Sequence, residues 1–117
     1  MAGVEAVRFL RLVNALPEVA SRSSARYTTF TVRGTNFGYL WPRTRTVGLK
    51  QTLSEQLALV AERPDVFEVQ FTAGQFGWVV VYLERVDRDE LAELTYEAWS
   101  LSAPAALVEA AAGRLPT

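Results

Sequence analysis

Tyr27-Thr28-Thr29-Phe30-Thr31-Val32-Arg33-Gly34-Thr35-Asn36-Phe37-Gly38-Tyr39-Leu40-Trp41 is the stretch on which the fold turns. Phe30 and Val32 fall on one face of an extended chain and Thr29 and Thr31 on the other, the period-two alternation of a half-buried strand. Arg33-Gly34-Thr35-Asn36 is a turn signal, and Phe37 to Trp41 is a second extended run, so the two segments return on each other as a hairpin. Trp41-Pro42-Arg43 turns the chain again into Arg45 to Lys50, a third strand with Val47 and Leu49 on the same side. Connections this short impose antiparallel pairing, because a parallel crossover needs about a dozen residues or more.

Upstream, Ala6, Phe9, Leu10, Val13 and Leu16 recur at helical spacing and predict a helix over residues 4–16, stopped by Pro17. Ser21 to Ala25 reads as a polar linker. Downstream, Thr52-Leu53-Ser54-Glu55 has capping-box spacing, and the helix behind it carries Leu53, Leu57, Val60 and Ala61 on one face before Pro64. Val66 to Phe71 alternates, with Phe67, Val69 and Phe71 against Glu68 and Gln70. Thr72-Ala73-Gly74-Gln75 then turns into Phe76 to Glu84, apolar enough for a central strand. Asp87 caps a helix with the stripe Leu91, Leu94, Ala98 and Leu101. Pro104 opens a last one, with Leu107, Val108 and Ala111 inward and Gly113 at its end. The order is α-β-β-β-α-β-β-α-α. It predicts one α+β domain over residues 1–117, two-layered, with an antiparallel sheet of about five strands packed against helices.

The 117 residues include no Cys and no His. Thiol nucleophiles, disulfides, Cys/His zinc sites and imidazole bases are thereby excluded. No arrangement of the remaining carboxylates, hydroxyls and arginines calls for catalysis, so the expectation is a non-enzymatic protein with no cofactor and no metal. Glu90, Glu93 and Glu97 lie at helical spacing, but acids near a helix N-terminus are explained by its dipole. Glu5 and Arg8 interrupt any signal-peptide core, and the apolar run Trp78 to Leu83 is far short of the roughly 20 residues that span a bilayer. A cytoplasmic protein without membrane contact is expected.

The net charge of −1 hides an asymmetry. From Val19 to Ser54 there are six basic residues, Arg22, Arg26, Arg33, Arg43, Arg45 and Lys50, and no Asp or Glu. The rest of the chain sets its six basic residues against all 13 acids. A +6 segment with Tyr27, Tyr39 and Trp41 among its cations suits an anionic partner. It equally suits an acidic patch on the same chain or on a second copy, and the isoelectric point near 5.5 is below the value of about 9 usual for basic nucleic-acid domains. Strand parity sets Lys50 opposite Val47 and Leu49, on the outer face at an exposed strand end. Trp78 and Trp99 are expected in the core and Trp41, beside its proline turn, at the surface.

Five motifs taken together resemble the MmcQ/YjbR family: Leu16-Pro17-Glu18-Val19, Phe30 to Leu40, Val47-Gly48-Leu49-Lys50, Gly77-Trp78-Val79-Val80-Val81 and the acidic segment Asp87 to Leu101. They cover essentially the whole chain in order. The resemblance implies a CyaY-like fold and a DNA-binding role in which two hairpins act as a double wing; it brings no catalytic residues. The chain departs from the family pattern in two places. Thr35 stands where a hairpin lysine is common, and Trp99 to Pro104 replaces a Ser-Tyr pair. Taken with the charge asymmetry, the expected nucleic-acid-binding residues are those of the basic hairpin face: Arg33, Arg43, Arg45 and Lys50, with Tyr39 and Trp41. The alternative is a protein-interaction or homodimerisation module with no nucleic-acid role.

Overall fold

A computed structural model describes residues 3–111. The chain runs α1 (Ala6–Asn14), β1 (Val19–Ser23), β2 (Thr28–Val32), β3 (Thr35–Trp41), β4 (Thr46–Thr52), α2 (Leu53–Glu62), β5 (Phe67–Ala73), β6 (Phe76–Tyr82), α3 (Arg88–Ser100) and α4 (Ala105–Ala111). The strands form one antiparallel sheet in the order β1-β2-β3-β4-β6-β5. The α+β class, the antiparallel pairing and the helices follow the sequence expectation, with one strand more than expected. Val19–Ser23 is β1, an edge strand paired along its whole length with β2, where Ser21 to Ala25 reads as linker. Its side chains are mostly exposed, so no apolar alternation marks it; the backbone ladder pairs it along its length.

The hairpin turn is the two-residue Arg33-Gly34, with φ of 50° and 82° and Val32 paired to Thr35. Positive φ at both centres gives a turn whose twist matches that of the flanking strands.

All four helices contribute to one core on a single face of the sheet. Phe9 meets Phe30 edge to face at 5.7 Å, and Leu49, Val79, Val81, Leu91, Trp99 and Ala111 share the same cluster. Trp99 is fully buried, and its Nε1 donates to the Pro17 carbonyl at 3.0 Å, which ties α3 to the segment after α1. Trp78 is buried as expected, but outside this core, on the opposite face.

α2 departs from its expected stripe. The Thr52 hydroxyl accepts from the Glu55 amide at 3.1 Å, as the capping signal requires. Gln56 is the buried residue of α2, with Leu59 and Val60 half-buried beside it, whereas Leu57 is 64% exposed. Gly77 is the reason: a Cβ there would lie 2.6–2.7 Å from Gln56, so the glycine leaves the space that Gln56 fills. From it the Gln56 amide donates to the carbonyls of Phe71 and Trp78 at 3.0 and 2.8 Å. Asp87 occupies the N-cap position of α3 in extended conformation, without a side-chain cap bond. Gly113 lies outside the described residues.

Candidate functional site

Register assigns every strand residue to a face. Arg22, Thr29, Tyr39, Gly48, Val80 and Glu68 form one cross-strand row. Lys50, Trp78 and Phe71 form the next on one side, and Trp41, Thr46 and Tyr82 the next on the other. These rows lie on the face away from the core, which no helix covers among the described residues.

Aromatic rings dominate that face. Tyr27 meets Tyr39 edge to face at 6.0 Å, Tyr39 meets Trp78 at 5.4 Å, and Trp78 stacks on Phe71 at 5.2 Å with 17° between planes. Trp41 stacks on Tyr39 at 5.7 Å. Gly48 makes this possible, since a Cβ there would lie 2.9–3.0 Å from the Trp41 ring and against Gln70 Oε1. Phe71 belongs to the cluster through an irregularity in β5. The register shifts between Val69 and Phe71, so Gln70 is an extra residue and Phe71 moves to the face opposite Val69. Strict alternation places Phe67, Val69 and Phe71 together, and the bulge separates them. The ends of the ring series, Tyr27 and Phe71, are 40% and 39% exposed. Tyr39 and Trp41 are half-buried, so Trp41 is a partial rather than a full surface residue.

The six residues named from the sequence do not converge on one spot. Tyr39 and Trp41 lie within the aromatic face. Arg43 is exposed in the β3–β4 turn, at the sheet end that also carries Trp41, Tyr27 and the β1–β2 turn with Arg26. Arg45 follows in the same turn and pairs with Glu84 at 3.2 Å. Arg33 is at the opposite end of the sheet, bound by Glu18. Lys50 is on the outer face as parity requires, but it is only 8% exposed, which corrects the expectation of an exposed strand end. Its Nζ donates to Ser102 Oγ at 3.0 Å and sits 4.2 Å from the Phe76 ring centroid. Burial lowers its ammonium below the ordinary lysine value.

Arg22, Tyr27 and Phe71 belong to the face and escape a reading of the sequence by motif. Arg22 falls in the apparent linker; with Tyr27, Thr29, Thr31 and Asn36 it lines a groove of about 470 Å³. Only the parity of Tyr27 with Thr29 signals that its ring shares the face.

The acidic helix lies on the other layer. α3 packs through Leu91, Leu94 and Ala98, and the Gln51 amide on β4 donates to the Leu94 carbonyl at 3.3 Å. Glu90 is bound by Arg63, at the end of α2. Among the described residues no ion pair joins α3 to the Val19–Ser54 segment, and Arg22, Arg26 and Arg43 form none at all. Among the described residues, likewise, no helix is long and apolar enough to cross a membrane.

A family model described as YjbR matches residues 14–101, from the end of α1 to the close of α3. The crystal structure of Deinococcus radiodurans protein DR2400, with its DUF419 domain, is similar to this one. The TM-score is 0.72 at 20% identity, over 83% of this chain and 78% of that chain. At that identity the likeness is one of fold. No curated protein matches the sequence.

Proposed function

The chain belongs to the YjbR family, and for it we propose a cytoplasmic, non-enzymatic nucleic-acid-binding role in which arginines around the helix-free face contact phosphates. One observation carries this reading. The acid-free segment folds into the β1–β4 half of the sheet and leaves Arg22, Arg26 and Arg43 exposed and, among the described residues, without a carboxylate partner, while the acids of α3 lie across the sheet. α3 packs on β3 and β4 from the core side, and among the described residues none of its acids pairs with a basic residue of the Val19–Ser54 segment. Arg45 adds a rim cation held by an exposed pair, which is worth little and exchanges readily. Arg33 and Lys50 are secondary, the first bound to Glu18 and the second buried.

The contacts these arginines make are to the backbone of the nucleic acid and carry no information about base sequence. Anisotropy of a labelled 30-base-pair duplex across a salt series tests the role. Three or four phosphates neutralised give a slope of about −3 to −4 in log K against log salt. Replacing Arg22, Arg26 and Arg43 together by Ala flattens the slope and weakens binding. A duplex and a single strand both left unbound at low salt would send the search to protein partners. A second reading, homodimerisation through the same face, draws on the exposure of Tyr27 and Phe71; sedimentation across a concentration series reads it directly.

A further inference from the structure

We infer that the helix-free face is built for unpaired bases, so that its ligand is single-stranded rather than duplex nucleic acid; this deepens the phosphate-binding reading above and rests on it. The arginines alone would serve any polyanion. The rings ask for something more specific.

Tyr27, Tyr39, Trp78 and Phe71 run across the strands in steps of 6.0, 5.4 and 5.2 Å. The inner two are half-buried or buried and buttress the outer two, each about two-fifths exposed. An aromatic ring held by neighbouring rings offers its π-face with little side-chain freedom left to lose on binding, and every base has a face to stack on it. Duplex bases are already stacked and present only their edges. An open sheet carrying rings cannot enter a groove to reach them, but a strand laid across it can splay its bases onto the rings.

Charge selects a nucleic acid over another apolar partner. Arg22 shares a row with Thr29 and Tyr39 and lines the groove beside Tyr27 with Thr29, Thr31 and Asn36. That groove supplies a guanidinium, two hydroxyls and an amide next to the first exposed ring, the donor set that suits a phosphate and its sugar. Arg26 and Arg43 stand at the same sheet end. Glu68 is the only carboxylate in the cross-strand rows of this face, at the β5 edge, where it accepts a hydrogen bond from the Tyr82 hydroxyl. The favourable path therefore starts in the Arg22 groove and runs over Tyr27 toward Phe71, on the Lys50 side of Glu68.

The test compares a labelled 20-nucleotide oligo(dT) with a duplex of equal length by anisotropy, for the wild-type chain and for Tyr27→Ala, Phe71→Ala and Phe71→Trp. Electrostatics alone favours the duplex, whose charge density is higher, so tighter single-strand binding reports stacking. The expected result is a single strand held at least about ten-fold tighter. Each alanine variant loses roughly ten-fold on the single strand and nothing on the duplex, and Phe71→Trp retains full affinity. Both positions are exposed, and unchanged thermal midpoints show that the variants fold. Equal affinity for the two ligands with no effect of the ring variants overturns the inference and leaves the phosphate role standing. Binding to neither overturns both. Ring-dependent self-association with no nucleic-acid binding assigns the face to a second copy of the chain and overturns the inference.

Discussion

Arg33 grips Glu18 with two parallel hydrogen bonds, Nε to Oε1 at 2.5 Å and Nη2 to Oε2 at 3.0 Å, and both residues hold left-handed backbone, with φ of 50° and 57°. They flank the Val19–Val32 pair that closes the β1–β2 ladder. The left-handed region costs a side-chain-bearing residue about 1 kcal/mol or more, and the bidentate pair is what the two strained positions face each other to make. An arginine that would otherwise count toward an anion-binding surface is thereby used to fasten the edge strand.

This pair sets a pH dependence. The hydrogen bond from Arg33 holds the Glu18 carboxyl below its ordinary value. A carboxylate depressed in the folded state contributes stability that is fully present above the unfolded value of about 4.3 and is lost as pH falls through the lower, folded value. Glu18→Gln is expected to lower the thermal midpoint by no more than a few degrees at pH 7, since the pair is exposed. The wild-type and variant midpoints should converge in acid well below pH 4. A midpoint difference that does not change with pH would show that the charge on Glu18 is not what matters.

Gly77→Ala is expected to be costly for its size. The added methyl would lie 2.6–2.7 Å from Cδ, Cβ and Oε1 of Gln56, which is buried and bonded to two carbonyls. Overpacking of this kind costs about 1–3 kcal/mol, read as a drop in midpoint of roughly 4 °C or more. The double variant Gly77→Ala/Gln56→Ala should recover part of the loss on urea titration, because the clash disappears with the side chain.

Gln51→Met should be neutral or stabilising. Gln51 is fully buried, its Oε1 has no hydrogen-bond partner, and its Nε2 reaches only the Leu94 carbonyl of a helix that already has its own ladder. A buried unpartnered acceptor costs about 1–3 kcal/mol, and a methionine of similar length removes it. A midpoint in urea well below wild type would mean that the amide holds α3 against β4.

Lys50→Met tests the buried ammonium. Desolvation lowers the lysine value in the folded state, so the unfolded chain binds the proton more tightly and wild-type stability rises with pH through the folded value toward the ordinary value of about 10.4. Lys50→Met should lack that rise and be at least as stable as wild type at pH 7, with an apolar side chain in place of the ammonium beside Phe76. A loss of stability at pH 7 that persists at pH 10 would show that the bond to Ser102 outweighs the desolvation.

The sheet was legible wherever side chains alternate. Phe30/Val32 and Val47/Leu49 face the core, Arg33-Gly34 makes the turn, and Thr52 caps α2, all from signals within a few residues. β1 was not legible, because an edge strand of exposed small and polar residues is held by backbone bonds that leave no side-chain pattern. The candidate site shared this divide. Tyr39 and Trp41 could be named from their strand, whereas Arg22 depended on the unseen strand and Phe71 on a bulge.

Local features follow from residues near one another in the chain: the turns, the cap of α2, the parity that sets Lys50 on the outer face, and the concentration of positive charge between Val19 and Ser54. Packing of the whole molecule fixed what depends on residues far apart in the chain. It set α3 on the far layer from the hairpin arginines, bound Arg33 to Glu18, and covered Lys50 with Phe76 and with Ser102, 52 residues away. Periodicity carries the face a side chain takes, since that follows from backbone geometry at each residue. What meets it there is fixed by the packing of the whole chain, and for this protein that difference separates a run of basic residues from a surface able to hold a ligand.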